Sequence, residues 1–277
     1  MKAAVGEILP DGEHSRKVHA KSIHREDPGR ASYNGGLKSL SIVVPAYNEE
    51  ARLPATMKRI LGWLAGRQLS FSELLVVDDG STDRTATLVE EFARTHPLVK
   101  LLRNPGNRGK GYAIRNGMLA GQGDWILYSD ADMSAPIEEV EKLYREAQAK
   151  QAVIAIGSRA LDRSLTAVHQ SAFREYSGRF FNLVMRTLTG LPFDDTQCGF
   201  KLFRSDAAKA VFSRQLLDGF SFDVEDLYIA QKCGLKAVEV PVRWSNVEGS
   251  KVRLSQGLKS FSDLLRIRAN GASGKYN

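Results

Sequence analysis

The sequence predicts an α/β fold built on a mostly parallel, doubly wound sheet. Three observations support this prediction. Between residues 40 and 156, short apolar runs alternate with longer segments whose apolar residues recur at helical spacing. Clusters of Asp, Gly, Asn and Ser follow several of the apolar runs, where parallel strands would end. The chain has 277 residues and 43% hydrophobic content, enough to bury one large core or two modest ones.

The predicted strands are short runs dominated by Leu, Ile and Val. In chain order they are Leu40–Val44, Leu74–Val77, Val99–Leu102, Trp125–Tyr128 and Val153–Ile156. The segments between them repeat apolar residues every three or four positions, which predicts helices. These helices are Ala51–Leu64, Asp83–Arg94, Gly111–Leu119 and Ile137–Ala149. Because strands that alternate with helices usually pair in parallel, the order predicts a doubly wound sheet.

Residues 1–38 are polar and lack apolar periodicity, so we predict a flexible polar tail there. The longest apolar stretches are five to six residues. A helix that spans a bilayer requires roughly 20, so we expect no membrane span. The N-terminus lacks the apolar core of a secretory signal, and Cys198 and Cys233 have no disulfide or metal-ligand pattern. We therefore expect a reducing, cytoplasmic compartment.

The formal net charge is +7, and it is unevenly distributed. From Arg243 onward the chain has seven Lys and Arg residues against Glu248 and Asp263. Such a basic end could be a solvated surface or could favour a phosphate-bearing substrate, an anionic membrane or nucleic acid. The sequence has no helix-turn-helix, RNA-binding aromatic motif or zinc module, so we expect no nucleic-acid partner.

The triplet Asp130-Ala131-Asp132 ends the apolar run that begins at Trp125. Carboxylates at positions i and i+2 of an extended backbone point the same way, so they can share a hard divalent cation. Open positions on that cation would accept phosphate oxygens, which indicates chemistry on a nucleoside diphosphate. Taken alone, aspartates at a strand end are more often turn formers.

Two other predicted strands also end in polar clusters. After the first strand come Pro45, Tyr47 and Glu49, whose aromatic and carboxylate groups could flank a base and a ribose. After the second, Asp78 and Asp79 could accept hydrogen bonds from a base or a ribose hydroxyl, and Ser81 or Asp83 could cap the next helix. Ordinary turn and capping roles are the alternatives for both clusters.

The segment Asn107–Gly111 opens a predicted helix with two glycines and the cations Arg108 and Lys110. Free backbone amides at the positive end of a helix could cradle an anion. The glycine spacing does not match a Walker loop, and no Gly-x-Gly-x-x-Gly follows the first strand, which argues against a dehydrogenase.

Together these motifs resemble the inverting family 2 glycosyltransferases of the GT-A fold, over about residues 39–268. The signatures Asp78–Ser81 and Asp130–Asp132 occur in that family's order. Within the family, further blocks resemble the dolichyl-phosphate β-glucosyltransferases. These blocks are Glu49–Pro54, Asn107–Arg115, Gly157–Ala160, Asp195–Phe203, Phe222–Gln231 and Gly249–Lys251.

The resemblance implies roles for individual residues. Pro45, Tyr47, Glu49 and Asp79 would hold uridine, and the nucleotide-sugar site would also include Asp78, Ser81, Lys110, Gly111, Asp130 and Ala131. Asp130 and Asp132 would hold Mg²⁺ or Mn²⁺, although Ser134 stands where related mannosyl enzymes have a glutamine ligand. Arg159, Arg174 with Ser177, and Lys251 would face a lipid phosphate. Asp195, Gln197, Asp223 and Glu225 would line the sugar pocket. Asp132, Arg159, Arg174, Asp195, Gln197 and Lys251 would form the catalytic set.

The expected activity is metal-dependent, inverting transfer of glucose from UDP-glucose to a polyprenyl phosphate, either dolichyl or undecaprenyl. A phosphate acceptor is already ionised at neutral pH, so no dedicated base is required. The alternatives are a donor of mannose, GlcNAc or galactose, a glycan acceptor with Asp195 or Glu225 as base, or a non-catalytic binder of nucleotide sugars. A nucleotidyltransferase is disfavoured because its Gly-rich N-terminal loop is absent.

The eukaryotic relatives carry a membrane anchor, whereas the tail of this chain is polar. We therefore expect peripheral binding to an anionic membrane on its cytoplasmic face, through two amphipathic segments. Apolar residues recur at helical spacing in both. One contains Phe173, Tyr176, Phe180, Phe181, Val184 and Leu188; the other contains Leu254, Leu258, Phe261 and Leu265. Core packing is the alternative for each. The predicted organisation is a tail (1–38), a GT-A domain (39–253) and a basic C-terminal helix and tail (254–277).

Overall fold

The computed structural model describes residues 36–165, 183–245 and 254–277, with no description of the side chains of Arg163 and residues 254–260. Most of the predicted tail therefore lies outside the described residues. So do Arg174, Ser177, Lys251 and the aromatic residues between 173 and 181. No helix among the described residues is both long enough and apolar enough to cross a bilayer.

The described chain forms a sheet of seven strands in the order β3-β2-β1-β4-β6-β5-β7. The strands are β1 (Ser39–Ala46), β2 (Phe71–Asp78), β3 (Val99–Arg103), β4 (Trp125–Ser129), β5 (Ile154–Ser158), β6 (Phe200–Arg204) and β7 (Ala237–Pro241). Strand β6 runs antiparallel to both its neighbours, and the other pairs are parallel. The prediction of a mostly parallel sheet is confirmed, and β6 and β7 are additional to the predicted strands.

Helices cover both faces of this sheet. They are α1 (Leu53–Ala65), α2 (Thr85–Thr95), α3 (Lys110–Ala120), α4 (Glu139–Ala149), α5 (Ser205–Phe212), α6 (Phe222–Lys232) and α7 (Leu254–Ala272). Residues 183–189 are also helical. Alternate β1 residues face opposite layers: Ile42 packs in the layer that contains α1 and α4, and Val43 in the layer that contains α3, α5 and α6. Burial on both faces explains why the strands are continuous apolar runs.

The C-terminal segment contributes to the second of these layers. Leu264 and Ile267 of α7 are fully buried, and Tyr276 beyond it is 1% exposed. All three belong to the same apolar cluster as α3 and α6. The C-terminal helix therefore packs against the core of the preceding domain.

The direction of β6 brings distant segments to one edge of the sheet. Strands β1, β2 and β4 are parallel, so their carboxyl ends lie together. Because β6 is antiparallel to β4, Phe200 at its start pairs with Ser129 at the end of β4. Residues 195–199, which precede β6, consequently lie at the same edge as Asp130, which follows β4.

Candidate active site

Asp130 and Asp132 lie immediately beyond β4, in a turn that the rest of the protein holds in place. The backbone N–H of Asp130 donates to the carbonyl oxygen of Gly199 at 3.1 Å, and Thr56 donates its hydroxyl to the carbonyl oxygen of Ala131 at 2.6 Å. The N–H of Ser134 donates to the Asp132 carboxylate at 2.9 Å. Both carboxylates are partly accessible. Bonds from Gly199 and Thr56 thus hold the turn that carries both carboxylates, whose joint use as metal ligands stays a prediction.

Lys110 at the start of α3 places its ammonium nitrogen 2.7 Å from Oδ1 of Asp130. Burial by itself would lower the pKa of Lys110, but the carboxylates of Asp130, Asp223 and Asp132 outweigh it, so the pKa is raised. Lys110 is therefore a cation among acidic groups. The acidic groups outnumber this ammonium group, so a bound divalent cation would offset the excess negative charge.

The two aspartates fit a divalent metal ion in their chemistry. Carboxylate oxygens are the ligands that Mg²⁺ prefers, usually one or two of them together with water and substrate phosphates. Among the described residues, no cluster of three or more His, Cys, Asp and Glu side chains could hold a metal ion. Asp130 and Asp132 would thus supply the described protein ligands, with the remaining positions left for phosphate oxygens and water.

The loops that follow β1 and β2 are bonded to each other. The N–H of Asn48 donates to the Ser81 hydroxyl at 2.9 Å, and the N–H of Asp79 donates to the carbonyl oxygen of Ala46 at 2.9 Å. Glu49 forms a two-bond ion pair with Arg52, with both distances at 2.8 Å. Tyr47 remains 38% exposed beside these contacts. The predicted uridine residues are thus brought together, and Tyr47 presents an accessible aromatic ring.

Asp79 and Asp78 have structural contacts that the sequence did not reveal. The Asp79 carboxylate accepts hydrogen bonds from the Asn104 amide (2.8 Å) and from the N–H groups of Arg108 (3.1 Å) and Gly109 (2.7 Å). Asp78 accepts the N–H of Ser81 at 3.2 Å, and both aspartates are 4% exposed. Asp79 therefore fixes the segment that leads into α3. Its contact with uridine stays a prediction.

Three of the five amides in the anion cradle predicted at residues 107–111 are already bonded within the protein. The N–H groups of Gly111 and Tyr112 donate to the carbonyl oxygen of Asp218, at 2.8 and 3.3 Å. Those of Arg108 and Gly109 are bonded to Asp79, as described above. A tertiary contact with a segment about one hundred residues away therefore uses the amides that the sequence left free. Lys110 contributes its side chain to the site, whereas Gly111 allows close packing: a Cβ there would lie 2.6 Å from the Leu217 carbonyl oxygen.

Arg159 and Asp195 form a two-bond ion pair, with Nε and one terminal nitrogen at 2.7 and 2.8 Å from the carboxylate. The N–H groups of Arg159 and Gln197 also donate to Asp195, and Glu239 accepts the N–H of Asp195 at 2.8 Å. Burial alone would raise the pKa of Asp195, but Arg159 outweighs it and the pKa is lowered. Asp195 thus orients Arg159. The place of Asp195 in the sugar pocket stays a prediction, and the Gln197 side chain is exposed.

A buried polar cluster lies beside the acidic pair and includes Asp223, which was predicted to line the sugar pocket; its other members, Lys201 and Tyr128, were not predicted. Lys201 is 0% exposed; it donates to the Asp223 carboxylate and, at 2.8 Å, to the Cys198 carbonyl oxygen. Tyr128 donates its hydroxyl to Asp223 at 2.6 Å. Burial, followed by the charge of Asp223, raises the pKa of Tyr128 well above its usual value. In the sequence, this buried cluster is indicated by Lys201, a lysine within the otherwise apolar run Phe200–Phe203.

Glu225 does not line a pocket, which corrects that prediction. Its side chain is 0% exposed and accepts hydrogen bonds from the N–H groups of Leu216 and Leu217 and from the Tyr276 hydroxyl. Burial raises its pKa. The physical reason is helix geometry: Asp223 and Glu225 are two positions apart on α6, so they point in different directions.

Comparison with protein families and with known proteins identifies relatives of this chain. The family described as "Glycosyl transferase family 2" matches residues 41–212. A dolichyl-phosphate beta-glucosyltransferase from Homo sapiens is 39% identical over 86% of this chain and 78% of that protein. One from Trichomonas vaginalis is 36% identical over 94% of this chain and 83% of that protein.

Solved structures share the fold. Glucosyl-3-phosphoglycerate synthase from Mycobacterium tuberculosis, in complex with Mn²⁺, UDP and glucosyl-3-phosphoglycerate, has a TM-score of 0.61 at 19% identity, over 86% of this chain and 82% of that one. Mannosyl-3-phosphoglycerate synthase from Rubrobacter xylanophilus has a TM-score of 0.60 at 19% identity, over 85% and 75%. The predicted GT-A fold is confirmed. The family match and the identity to relatives over most of their length show that this chain belongs to glycosyl transferase family 2, and is a glycosyltransferase.

Proposed function

We propose that this chain transfers glucose from UDP-glucose to a polyprenyl phosphate, with inversion at the anomeric carbon and with Mg²⁺ or Mn²⁺ held by Asp130 and Asp132. The observation that carries the proposal is the Asp130–Lys110 contact, at 2.7 Å, on the sheet edge that also holds Arg159. This arrangement offers both carboxylates for a cation and cations for phosphate groups. The names of the relatives support a glucosyl donor and a dolichyl-phosphate acceptor.

On the donor side, the accessible Tyr47 ring and the loops around Asp78 and Glu49 provide a place for the nucleoside. Lys110 pairs with Asp130 and would contact the diphosphate. A bound divalent cation supplies charge neutralisation to the departing UDP. Glucosyl-3-phosphoglycerate synthase, which shares the fold, was solved with Mn²⁺ and UDP bound, and this is consistent with the proposed donor site.

On the acceptor side, Arg159 is positioned by Asp195 and stacks over the Trp244 ring, with its guanidinium carbon 5.5 Å from the ring centre. Arg159 remains positively charged, because the attraction of Asp195 exceeds the cost of burial and raises its pKa. A guanidinium held in one orientation suits a phosphate, which accepts paired hydrogen bonds. Arg174 and Lys251 are further proposed contacts, outside the described residues.

The reaction needs only one displacement. An acceptor phosphate oxygen forms a bond with the anomeric carbon while the bond from that carbon to the β-phosphate oxygen of UDP breaks. The leaving oxygen takes the bonding electron pair, and attack from the opposite face inverts the configuration. The phosphate is already ionised, so the residues of the chain have to align it and to stabilise charge.

The structure weakens the main rival, transfer to a neutral glycan hydroxyl. That reaction requires a general base. The two candidate bases are committed elsewhere: Asp195 is paired with Arg159 and has a lowered pKa, and Glu225 is fully buried beneath the Leu216 and Leu217 amides. The family match and the named relatives are glycosyltransferases, which disfavours a pure binding protein.

The direct test is incubation of the purified chain with UDP-glucose, other UDP-sugars and GDP-mannose, together with dolichyl or undecaprenyl phosphate and Mg²⁺ or Mn²⁺. We expect a β-linked lipid-phosphate glucose from UDP-glucose alone, and none in excess EDTA. Transfer from another sugar nucleotide at an equal rate, or an α-linked product, would contradict the proposal.

Arg159→Lys separates the acceptor site from the donor site. It keeps the charge but removes the two-bond geometry, so transfer to lipid phosphate should fall at least about tenfold, as expected when a charge-assisted pair is lost. Hydrolysis of UDP-glucose by water should persist. Arg59→Ala, whose side chain is 51% exposed on α1, is the control and should retain both activities. Equal loss of both activities in Arg159→Lys would contradict the acceptor role.

We also propose peripheral binding to the cytoplasmic face of an anionic membrane, through α7. Leu265 is 60% exposed, and the flanking Arg266 and Arg268 are exposed. In the predicted apolar stripe, the side chains of Leu254 and Leu258 lie outside the described residues; the core contacts come from Leu264 and Ile267 instead. An outward leucine among cations suits the surface of an anionic bilayer.

Sedimentation with anionic vesicles tests this placement. Binding should be strong at low salt and weaken as salt rises, because each basic residue contributes on the order of 1 kcal/mol within a Debye length. Leu265→Glu should reduce binding without loss of fold. Leu98→Glu, at a 39% exposed leucine before β3, is the control. Absence of binding to anionic vesicles at low salt would refute the proposal.

A further inference from the structure

We propose that Tyr276 is a positioning residue for Lys110, acting through Glu225 and the segment 215–221, and so contributes to donor binding although it is buried away from the acidic pair. The inference rests on the proposed function, in which Lys110 contacts the donor diphosphate. It is carried by a continuous series of hydrogen bonds among described residues.

The first link joins Tyr276 to Glu225. The Tyr276 hydroxyl donates to Oε1 of Glu225 at 2.7 Å, and the Asn270 amide donates to the Tyr276 hydroxyl at 3.3 Å. Tyr276 is 1% exposed, and Glu225 is 0% exposed. The hydroxyl therefore has a single defined orientation, and Glu225 has a fixed partner on one carboxylate oxygen.

The second link joins Glu225 to the segment 215–221. The Glu225 carboxylate accepts the N–H of Leu217 at 2.8 Å and that of Leu216 at 3.1 Å. Asp263 of α7 accepts the hydroxyl of Ser221 at 2.9 Å, at the other end of the segment. The C-terminal part of the chain thus holds this segment directly through Asp263 and, by way of Tyr276, through Glu225.

The third link joins the segment to the first turn of α3. The Asp218 carbonyl oxygen accepts the N–H groups of Gly111 and Tyr112, and the Gln215 amide donates to the Gly111 carbonyl oxygen at 2.9 Å. Arg115 of α3 pairs with Asp218 at 3.0 Å. The packing is tight, since a Cβ at Gly109 would lie 2.4 Å from the Asp218 carbonyl oxygen. A shift of the segment would therefore move Lys110, which lies between these two glycines.

Tyr276→Phe removes the first link while it preserves the ring. Tyr228→Phe is the matched control: Tyr228 is also 1% exposed, packs edge to face with Tyr276, and bonds through its hydroxyl to Arg268 at 3.4 Å. Each variant loses one phenolic hydroxyl from the same cluster of side chains. Of these two tyrosines, only Tyr276 bonds to Glu225 within the described part of the chain.

Hydrogen exchange supplies a readout that does not depend on turnover. We expect the Gly111 and Tyr112 amides to exchange roughly fivefold faster in Tyr276→Phe, the factor for one net hydrogen bond, and at the wild-type rate in Tyr228→Phe. The KM for UDP-glucose should rise by a similar factor in Tyr276→Phe, with kcat changed less than about twofold. In a Glu225→Gln background, Tyr276→Phe should add nothing further, because the link is already weakened.

Equal effects in both tyrosine variants would show a packing role and overturn the inference. Faster exchange without a change in KM would also overturn it, since Lys110 would then not depend on the link. If Tyr276→Phe failed to fold, Glu225→Gln would carry the same comparison. A wild-type chain that used no UDP-sugar would refute the proposed function instead, while the exchange rates of the two variants would still report whether the link exists.

Discussion

Gly199 lies directly against the carboxylate of Asp130. A Cβ at Gly199 would be 2.2 Å from Oδ2 of Asp130 and 2.4 Å from its carboxyl carbon. The Gly199 carbonyl oxygen also accepts the N–H of Asp130. The glycine that precedes β6 therefore sets the position of a proposed metal ligand that follows β4.

Gly199→Ala should displace the Asp130 carboxylate, because the added methyl group cannot occupy the same space. We expect transfer to fall at least about tenfold, the cost of a small misplacement in an active site, and the Mn²⁺ concentration for half-maximal rate to rise. Gly62→Ala, whose Cβ meets nothing within 4 Å, is the control and should retain activity. Activity and metal titrations of both variants provide the measurement. An unchanged metal requirement in Gly199→Ala would contradict the assignment.

Asp130→Ala and Asp132→Ala should each lower transfer at least about a hundredfold, because stabilisation of a leaving diphosphate by a metal contributes several kcal/mol. The fold should persist, since both side chains face the accessible edge. Steady-state rates with and without EDTA, together with thermal unfolding, test this expectation. Glu90→Ala on α2, at a 47% exposed side chain, is the control. Near-normal turnover in either aspartate variant would remove the metal assignment.

Lys201→Met should destabilise the protein by about 3–5 kcal/mol, because it leaves Asp223 buried without its charged partner. The double variant Lys201→Met with Asp223→Asn should recover part of that loss. By contrast, Arg103→Met breaks a surface ion pair with Glu90, in which nitrogen and oxygen are 2.6 Å apart and the Arg103 side chain is 55% exposed. That change should cost at most about 1 kcal/mol. Urea unfolding measures the stability of each variant. If Lys201→Met lost no more stability than Arg103→Met, the Lys201–Asp223 pair would not be energetically coupled.

Asp226→Asn should stabilise the protein increasingly as pH rises. Asp226 is 0% exposed and, within the described structure, neither carboxylate oxygen has a hydrogen-bond partner. Burial, then the charges of Glu225 and Asp223, raises its pKa well above the usual value. The stability of the neutral acid is complete below the unfolded pKa and is lost as pH rises through the folded pKa. The Asn variant avoids that loss.

Urea unfolding between about pH 4 and pH 8 measures the difference, because this range begins near the ordinary pKa of Asp. Asp206→Asn is a control whose difference from wild type should stay nearly constant above about pH 5. A hydrogen bond from Arg204 lowers the pKa of Asp206, so its stabilising contribution is present above the unfolded pKa and lost as pH falls through the folded pKa. A constant difference between Asp226→Asn and wild type across this range would contradict an elevated pKa.

The sequence alone determined the parallel part of the sheet and the acidic pair. The apolar runs at β1, β2 and β4 and the motif at Asp130–Asp132 are local, so periodicity and spacing sufficed to predict them. Strand β6 was less visible, since Lys201 interrupts its apolar pattern. Its antiparallel direction is a property of pairing with β4 and β5, and no local pattern encodes it.

Only the tertiary structure decided how the candidate residues are used. The amides of Gly111 and Tyr112 looked available because their partner, Asp218, is distant in sequence. The sequence assigned Arg159 to the acceptor phosphate and Asp195 to the sugar pocket, and did not reveal the ion pair that joins them. Whether a polar group is free for a ligand depends on the hydrogen bonds that the folded chain has already formed, and a buried donor or acceptor rarely remains unpaired. Sequence therefore specified which chemistry is present, whereas long-range pairing specified which groups remain to perform it.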